Sequence, residues 1–144
     1  MVGDMSRVVR EKRMGVSAPA LFSVICDYES YPEFLPEVVS AKIISRNDTI
    51  RVEFEIEVIK RFSYELEFTA KKDELVNWRL VKSNFFKKNA GQWLLKPENG
   101  EVNVHYELEV EFGFLVPSWV TRKLTENSLP AMFDRFELRA TNHG

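Results

Sequence analysis

Few residues of this chain could carry out acid–base, nucleophilic or metal chemistry inside a protein. The sequence of 144 residues contains two histidines and one cysteine. His143 lies at the C-terminal end, and His105 belongs to an alternating pattern that places its side chain on the polar face of a strand. Cys26 alone cannot complete a His/Cys metal site or a Cys–His pair, and no interior histidine is left for a Ser–His pair. We therefore predict no catalytic residue, no metal site and no cofactor.

Aromatic side chains are the abundant functional groups, with eleven Phe, four Tyr and three Trp. The hydroxyls of Tyr64 and Tyr106 need hydrogen-bonding partners when buried, and a ligand carbonyl could be one. Strand periodicity directs a set of mostly aromatic side chains to one face: Phe54, Tyr64, Phe68, Trp78, Trp93, Tyr106, Leu108 and Phe112. They could form a closed aromatic core. Alternatively, a sheet too long and curved for its helix to fill would leave a pocket that these rings line.

The element that must position these rings is most visible between Val102 and Phe112. Every even position in this run is apolar or aromatic, and every odd position is Asn, His or Glu. Since successive side chains of a strand point to opposite faces, the run predicts a strand with one dry face and one wet face. Its length, roughly 35 Å at about 3.3 Å per residue, is about twice that of an ordinary strand. Such a strand indicates a curved sheet wrapped around a core or a ligand.

Other segments complete the sheet and provide helices. Ser17 is suited to cap a helix, and a second short helix is expected over residues 31–36. After Pro117 the apolar residues recur at helical spacing, which predicts a long C-terminal helix. Pro130 lies inside this helix and removes a hydrogen bond, so we expect a kink or two helical segments. The predicted strands cover residues 6–14, 38–46, 50–58, 62–70, 75–82, 91–96 and 102–112, with a turn at 97–100.

The hairpin between the third and fourth strands constrains its own turn. A two-residue turn at 60–61 would place apolar side chains opposite polar ones. A three-residue turn at 59–61, or a bulge, avoids this. That turn would bring like charges opposite each other, which Arg79 on the next strand could neutralise. The pairs are Glu55 with Glu65 and Glu53 with Glu67.

Composition narrows the classes of protein to which the chain could belong. A hydrophobic fraction of 44%, a charged fraction of 29% and a net charge of −2 are typical of one soluble globular domain, here residues 1–144. This charge offers DNA no electrostatic attraction, so we expect no DNA partner. A single cysteine favours a reducing compartment. No apolar run approaches the ~20 residues of a membrane-spanning helix. The charged N-terminus does not have the apolar segment of a signal peptide. The protein is therefore predicted to be cytoplasmic.

Several residues allow more than one interpretation. Asn84 and Asn89 are expected to shape a loop. The basic pairs at 87–88 and 122–123 could be solvated, or they could mark contact with an anionic lipid or a protein partner. The apolar pair at 34–35, which lies between two prolines, could cap the core. Alternatively, it could lie at a pocket mouth and touch a membrane transiently.

A family resemblance extends this interpretation. The segment from Asp27 to Pro36, Asp-Tyr-Glu-Ser-Tyr-Pro-Glu-Phe-Leu-Pro, resembles a signature of the START-like helix-grip superfamily, in its polyketide cyclase/dehydrase and coenzyme Q-binding branch. Supporting motifs lie at residues 91–95, 97–100, 115–119, 128–130 and 136–140, and the resemblance covers about residues 8–140. It implies an α+β helix-grip fold. A curved antiparallel sheet of about seven strands would wrap around the long C-terminal helix, with two short helices after the first strand and a deep apolar cavity inside.

The resemblance implies several functions, because members of this superfamily bind lipids, isoprenoid quinones, polyketides or plant hormones. Some members cyclise or dehydrate polyketides, and one bacterial branch is described as a toxin that blocks ribosomal subunit association. Our leading hypothesis is a non-enzymatic binding or carrier protein for a hydrophobic small molecule such as a lipid, an isoprenoid quinone or a polyketide. The alternatives are a polyketide cyclase or dehydratase in which a tyrosine assists proton transfer, and a toxin-like module that binds the ribosome or another protein.

On the leading hypothesis, the ligand lies between the inner face of the sheet and the C-terminal helix. By the same resemblance, the pair at 34–35 maps to the mouth of the cavity and the C-terminal helix maps to its lid. The expected ligand-binding residues are Phe34, Leu35, Phe54, Tyr64, Leu66, Trp78, Trp93, Tyr106, Leu108, Val120, Leu124 and Phe133.

Overall fold

Seven antiparallel strands form a single sheet. The computed structural model describes residues 5–58, 60–113 and 116–143, without the side chains of Met5, Thr125 and His143. Ile59 at the predicted hairpin turn and Leu115 in one of the matching motifs lie outside the described residues. The strands are β1 (Met5–Met14), β2 (Val38–Arg46), β3 (Ile50–Glu57), β4 (Arg61–Lys71), β5 (Leu75–Ser83), β6 (Phe86–Glu98) and β7 (Glu101–Phe112). Their order across the sheet is β1-β7-β6-β5-β4-β3-β2.

Helical segments follow β1 and β7. These are α1 (Ala18–Cys26), a 3-10 helix (Tyr28–Glu33), α2 (Ser118–Lys123), a π-helical turn (Leu124–Ser128) and α3 (Leu129–His143). The predicted α+β helix-grip fold, a curved sheet around a long C-terminal helix, is confirmed. No helix within the described ranges is long and apolar enough to cross a membrane.

The alternation of β7 is confirmed along its whole length. All six even positions from Val102 to Phe112 are buried, and the odd positions are partly exposed. The buried side chains form the inner face of the sheet, which shares one hydrophobic core with Leu21 of α1 and Phe136 of α3. The inner face of the sheet is therefore the surface on which a ligand could be enclosed.

The β3–β4 hairpin has a different register from the predicted one. Glu57 pairs with Arg61, whereas the predicted turn at 59–61 would pair Val58 with Phe62. Neither predicted pair of like charges forms, because Glu55 lies opposite Ser63 and Glu67 opposite Arg51; instead, Glu53 lies opposite Glu65. This register allows Arg61 to form ion pairs with Glu57 and Glu55, which favours it over the predicted alignment. As anticipated, Arg79 neutralises a glutamate of β4, since its guanidinium lies 2.6 Å from the Glu67 carboxylate.

Strand β6 is longer at both ends than the predicted 91–96. At its C-terminal end, Asn99 and Gly100 have φ angles of 53° and 80°, so they form a two-residue turn between Glu98 and Glu101. Pro97, predicted within the turn, pairs with Val102. A proline is tolerated there because the β5 ladder ends at Leu94, which leaves the other side of the strand unpaired.

The two strands β5 and β6 separate beyond the pair Trp78 and Gly91. The same register would continue to a two-residue turn, but residues 79–83 and 86–90 are not paired with each other. The indole of Trp78 lies against Gly91 and donates a hydrogen bond of 3.0 Å to the side-chain oxygen of Asn89. Asn89, predicted to shape a loop, is therefore a buried residue of β6 that fixes the Trp78 ring.

The short helices follow the local capping signals, with one shift. The Ser17 hydroxyl accepts a hydrogen bond from the Ala20 amide at 3.2 Å, which confirms it as the N-cap of α1. The second helix spans Tyr28–Glu33, three residues earlier than the predicted 31–36. It does not reach the predicted end at 36, because Pro36 disfavours a helical conformation of the preceding residue, Leu35.

The C-terminal helical run is interrupted at the predicted place. The π-helical turn Leu124–Ser128 ends two residues before Pro130, and the Leu129 amide donates to the Leu124 carbonyl, five residues back. In a regular helix the Pro130 ring would clash with the carbonyl four residues earlier, and the wider turn relieves this clash. The interruption lies in the part of the helix that faces the inner sheet surface.

Candidate ligand-binding cavity

A cavity of about 220 Å³ lies between the inner face of the sheet and the C-terminal helix. Its walls are mainly aromatic and aliphatic side chains from β3 to β7. The helical side contributes Leu124, Leu129, Met132 and Phe136, which lie on the π-helical turn and α3. The pocket interpretation of the aromatic residues therefore describes the structure better than a closed core.

Most of the residues predicted to bind a ligand line this cavity. They are Leu35, Phe54, Tyr64, Leu66, Trp78, Trp93, Tyr106, Leu108 and Leu124. Phe34, Val120 and Phe133 do not line it. Phe34 packs edge-on against Phe136 at 5.1 Å, and Val120 is buried in the core. Phe133 lies behind the wall, with its ring centroid 4.9 Å from that of Tyr106.

Aromatic contacts hold the two cavity tyrosines in place. The Tyr64 ring stacks on Phe54 at 5.4 Å and meets the edge of Phe86 at 5.0 Å. The Tyr106 ring contacts Trp93 edge-on at 4.9 Å. Such packing holds both rings in place without a contribution from their hydroxyl groups.

Three polar side-chain groups of sheet residues that line the cavity form no hydrogen bond with any residue in the described part of the chain. Two are the hydroxyls of Tyr64 and Tyr106, and the third is the side-chain nitrogen of Asn89. The Trp78 N–H must donate to the Asn89 oxygen, so the Asn89 amide presents its NH₂ group as a further donor. Tyr31 differs, because its hydroxyl donates to the Ile25 carbonyl at 2.5 Å. The cavity thus offers hydrogen-bond donors to a ligand carbonyl or hydroxyl.

Burial keeps these tyrosines neutral. Desolvation raises the pKa of the Tyr64 hydroxyl well above its usual range. The pKa of Tyr106 is raised by the same cause, and the neighbouring Tyr64 adds to it. A hydroxyl that stays protonated at physiological pH donates a hydrogen bond but does not act as a phenolate base. The site is therefore better suited to hold a neutral oxygen than to abstract a proton.

Alkaline pH is expected to destabilise the protein steeply above about pH 10, where tyrosines of an unfolded chain ionise. All four tyrosines have a raised pKa in the folded state, mainly because of burial. The folded state then holds more protons than the unfolded state, so stability falls by about 1.4 kcal/mol per pH unit for each tyrosine. Urea unfolding across this range, with tyrosinate absorbance as the second signal, measures the effect. Tyrosinate formation before unfolding would contradict it.

Polar residues at the rim of the cavity were not predicted from the sequence. Glu37, Ser128 and Arg135 line the cavity and are also partly exposed to solvent, so they lie at its rim. Ser128, Met132 and Arg135 follow helical spacing, and this spacing was the signal that could have placed them on the cavity side. A charge on the face of an apolar helix is not revealed by hydrophobic periodicity.

Residues with other reactive groups lie away from the cavity. His105 is on the outer face of the sheet, as predicted, with its ring nitrogens 3.0 Å from Glu107 and 2.9 Å from Glu11. These carboxylates raise the pKa of the imidazole. Cys26 is half-buried, and burial raises the pKa of its thiol. Within the described ranges, no three His, Cys, Asp or Glu side chains come together as metal ligands.

Comparison with known proteins agrees with this architecture. Residues 14–137 match the family model for "polyketide cyclase / dehydrase and lipid transport". No curated protein matches the sequence. Among solved structures, the Zhui aromatase/cyclase from Streptomyces sp. R1128 has a TM-score of 0.84 at 11% identity, covering 96% of this chain and 95% of that one.

Two further structures are similar over most of their length. A START superfamily protein from Mycobacterium smegmatis has a TM-score of 0.81 at 19% identity, covering 94% of this chain and 97% of that one. A STAR-related lipid transfer protein from Xanthomonas axonopodis has a TM-score of 0.78 at 16% identity, with coverages of 94% and 85%. At these identities, the structures establish a shared fold.

Proposed function

Because the chain belongs to the family of polyketide cyclases, dehydrases and lipid transport proteins, we propose that it binds a compact hydrophobic molecule in this cavity and carries it unchanged. The observation that supports this most strongly is the combination of apolar walls with donors that have no hydrogen-bonding partner in the described ranges of the chain. Those donors are the hydroxyls of Tyr64 and Tyr106 and the amide of Asn89. A ligand oxygen inside the cavity could accept hydrogen bonds from these donors and compensate for the removal of water from them.

The size of the cavity limits the ligand. At about 220 Å³ it lies below the usual range of ligand pockets, about 300–1,000 Å³. A ligand of two or three rings, or a short acyl chain, fits this space better than a long isoprenoid tail. A quinone with such a tail would have to leave its chain at the rim. Among the ligands considered from the sequence, a compact polyketide or lipid is therefore favoured.

Carriage without chemistry is favoured by the lack of a base next to the donors. The two tyrosines stay protonated, and Glu37 at the rim is the one carboxylate that lines the cavity among the described residues. A cyclase or dehydratase would need such a group to remove a proton from its substrate.

Solvent extraction of the purified protein, followed by mass spectrometry, identifies the bound compound. Incubating that compound with the protein and recovering it unchanged supports carriage, and a dehydrated or cyclised product would overturn it.

The hydrogen-bonding part of the proposal can be tested with a matched pair of ligands, 2-acetonaphthone and 2-ethylnaphthalene. Tyr64→Phe and Tyr106→Phe are each expected to weaken binding of the ketone about 3- to 10-fold, since one hydrogen bond contributes about 0.5–1.5 kcal/mol. Binding of the hydrocarbon should not change. Calorimetric titration measures both affinities.

Tyr31→Phe provides the control for this pair. Its ring also lines the cavity, but its hydroxyl already donates to the Ile25 carbonyl. We expect this variant to lose stability and to keep the preference for the ketone. If the ketone and the hydrocarbon lose affinity equally in Tyr64→Phe and Tyr106→Phe, the hydroxyls play no part in recognition.

A further inference from the structure

The rim of the cavity contains an arginine that has no side-chain partner among the described residues. Arg135 lies on α3, is half-buried, and lines the cavity together with Met132 and Ser128 of the same helical face. It forms no ion pair or hydrogen bond with any side chain in the described ranges of the chain. Glu37 also lines the cavity, from the segment before β2, and its carboxylate likewise has no ion pair among those residues. Arg135 is therefore a cation beside an apolar cavity, with no anionic partner among the residues that the structure describes.

A neighbouring ion pair connects α3 to the 3-10 helix that precedes the segment with Glu37. Arg139, one helical turn after Arg135, lies 2.7 Å from the carboxylate of Glu33, at the end of the 3-10 helix. The Arg139 guanidinium also lies over the Phe34 ring, 5.2 Å from its centroid. Arg139 thus links α3 to the 3-10 helix. One helical turn earlier, Arg135 and Glu37 form no ion pair with each other.

An unpaired guanidinium in this position favours binding of an anion. A half-buried charge has lost part of its hydration, and a partner of opposite charge compensates for that loss. The planar guanidinium is suited to a carboxylate, which it can hold with two parallel hydrogen bonds. The apolar walls below Arg135 would at the same time accept the hydrocarbon part of the molecule.

We infer that the ligand of this cavity is an amphiphilic acid, whose carboxylate binds Arg135 at the rim and whose apolar body fills the space below. This inference rests on the proposed function and specifies its ligand class. Glu37 then repels the carboxylate and limits the affinity, so that Arg135 and Glu37 together set how strongly acids are preferred over neutral molecules of the same shape.

The test compares naphthalene-2-carboxylate with its methyl ester by calorimetric titration at neutral pH. The protein is expected to bind the acid at least about 10-fold more tightly than the ester, because hydrogen bonds to charged groups are the stronger class. Arg135→Gln should abolish this preference, while Arg135→Lys should retain part of it. Glu37→Gln should strengthen acid binding about 2- to 5-fold.

The control is Lys123→Gln, which removes one positive charge from the exposed surface of α2. It changes the net charge as Arg135→Gln does, and it should leave the preference for the acid intact. Equal binding of acid and ester by the unaltered protein, or an unchanged preference in Arg135→Gln, would overturn the inference and leave the proposed function standing. If neither the acid nor the ester binds, the inference and the proposed function are both contradicted.

Discussion

Replacing Leu66 with tryptophan is expected to lower the affinity for the neutral dye N-phenyl-1-naphthylamine at least about 100-fold, or about 2.7 kcal/mol. Leu66 lies on β4, is 6% exposed, and lines the cavity. A larger ring there takes up space that the dye would otherwise fill. Losing ~100 Å² of buried apolar surface removes about 2.5 kcal/mol of binding free energy at about 25 cal/mol per Å². Dye fluorescence, which rises in an apolar environment, measures the affinity.

Leu138→Trp is the matched control. It makes the same change on α3 at a side chain that is 62% exposed, and dye binding should stay within about twofold. Thermal unfolding of both variants separates loss of the cavity from loss of the fold. Filling a cavity often stabilises a protein, so Leu66→Trp should keep its Tm. A folded Leu66→Trp protein that binds the dye as before would show that the dye site lies elsewhere.

Gly91→Ala is expected to have the largest effect on stability, a loss of about 3 kcal/mol in the free energy of unfolding. A Cβ at this position would lie 2.7 Å from Cζ2 of Trp78 and would overlap the Glu107 carbonyl oxygen. The second atom belongs to the backbone of β7, so relief requires a movement of β6 away from its neighbour. The displaced indole would also give up its hydrogen bond to Asn89. Urea unfolding followed by tryptophan fluorescence measures the loss.

Gly113→Ala makes the same substitution where space is available. The nearest heavy atom to a Cβ there is the Phe85 carbonyl oxygen, at 3.7 Å, which is ordinary contact. Its cost should stay within about 0.5 kcal/mol. Similar losses in the two variants would mean that the close approach at Gly91 is not what fixes the Trp78 ring.

Sequence periodicity predicted the parts of the fold in which one face is buried and the other is wet. The alternation of β7 survives unchanged in the structure, and it placed Tyr106 and Leu108 on the inner face correctly. The first half of β6 was missed for a physical reason. Residues 86–90 are separated from β5, and Lys87, Lys88 and Asn89 do not alternate as a doubly paired strand would. Asn89 was therefore assigned to a loop.

The cavity itself depends on distances that local sequence patterns do not contain. Phe133 and Leu124 share the helical apolar pattern, yet Leu124 lines the cavity and Phe133 lies behind its wall. The π-helical turn rotates the two parts of the helix relative to each other, and a periodicity of 3.6 residues does not account for that rotation. Arg135 was missed for a different reason, because hydrophobic periodicity does not reveal a charged residue on the apolar face of a helix.

The most direct test of a ligand-binding cavity is a titration with 2-acetonaphthone, followed by NMR of the three tryptophan indole N–H groups. Trp78 and Trp93 line the cavity, whereas Trp119 is 55% exposed on α2. We predict saturable shifts of the Trp78 and Trp93 signals with one ligand per protein and no shift of the Trp119 signal. A response confined to Trp119, or no response at any of the three, would contradict the account.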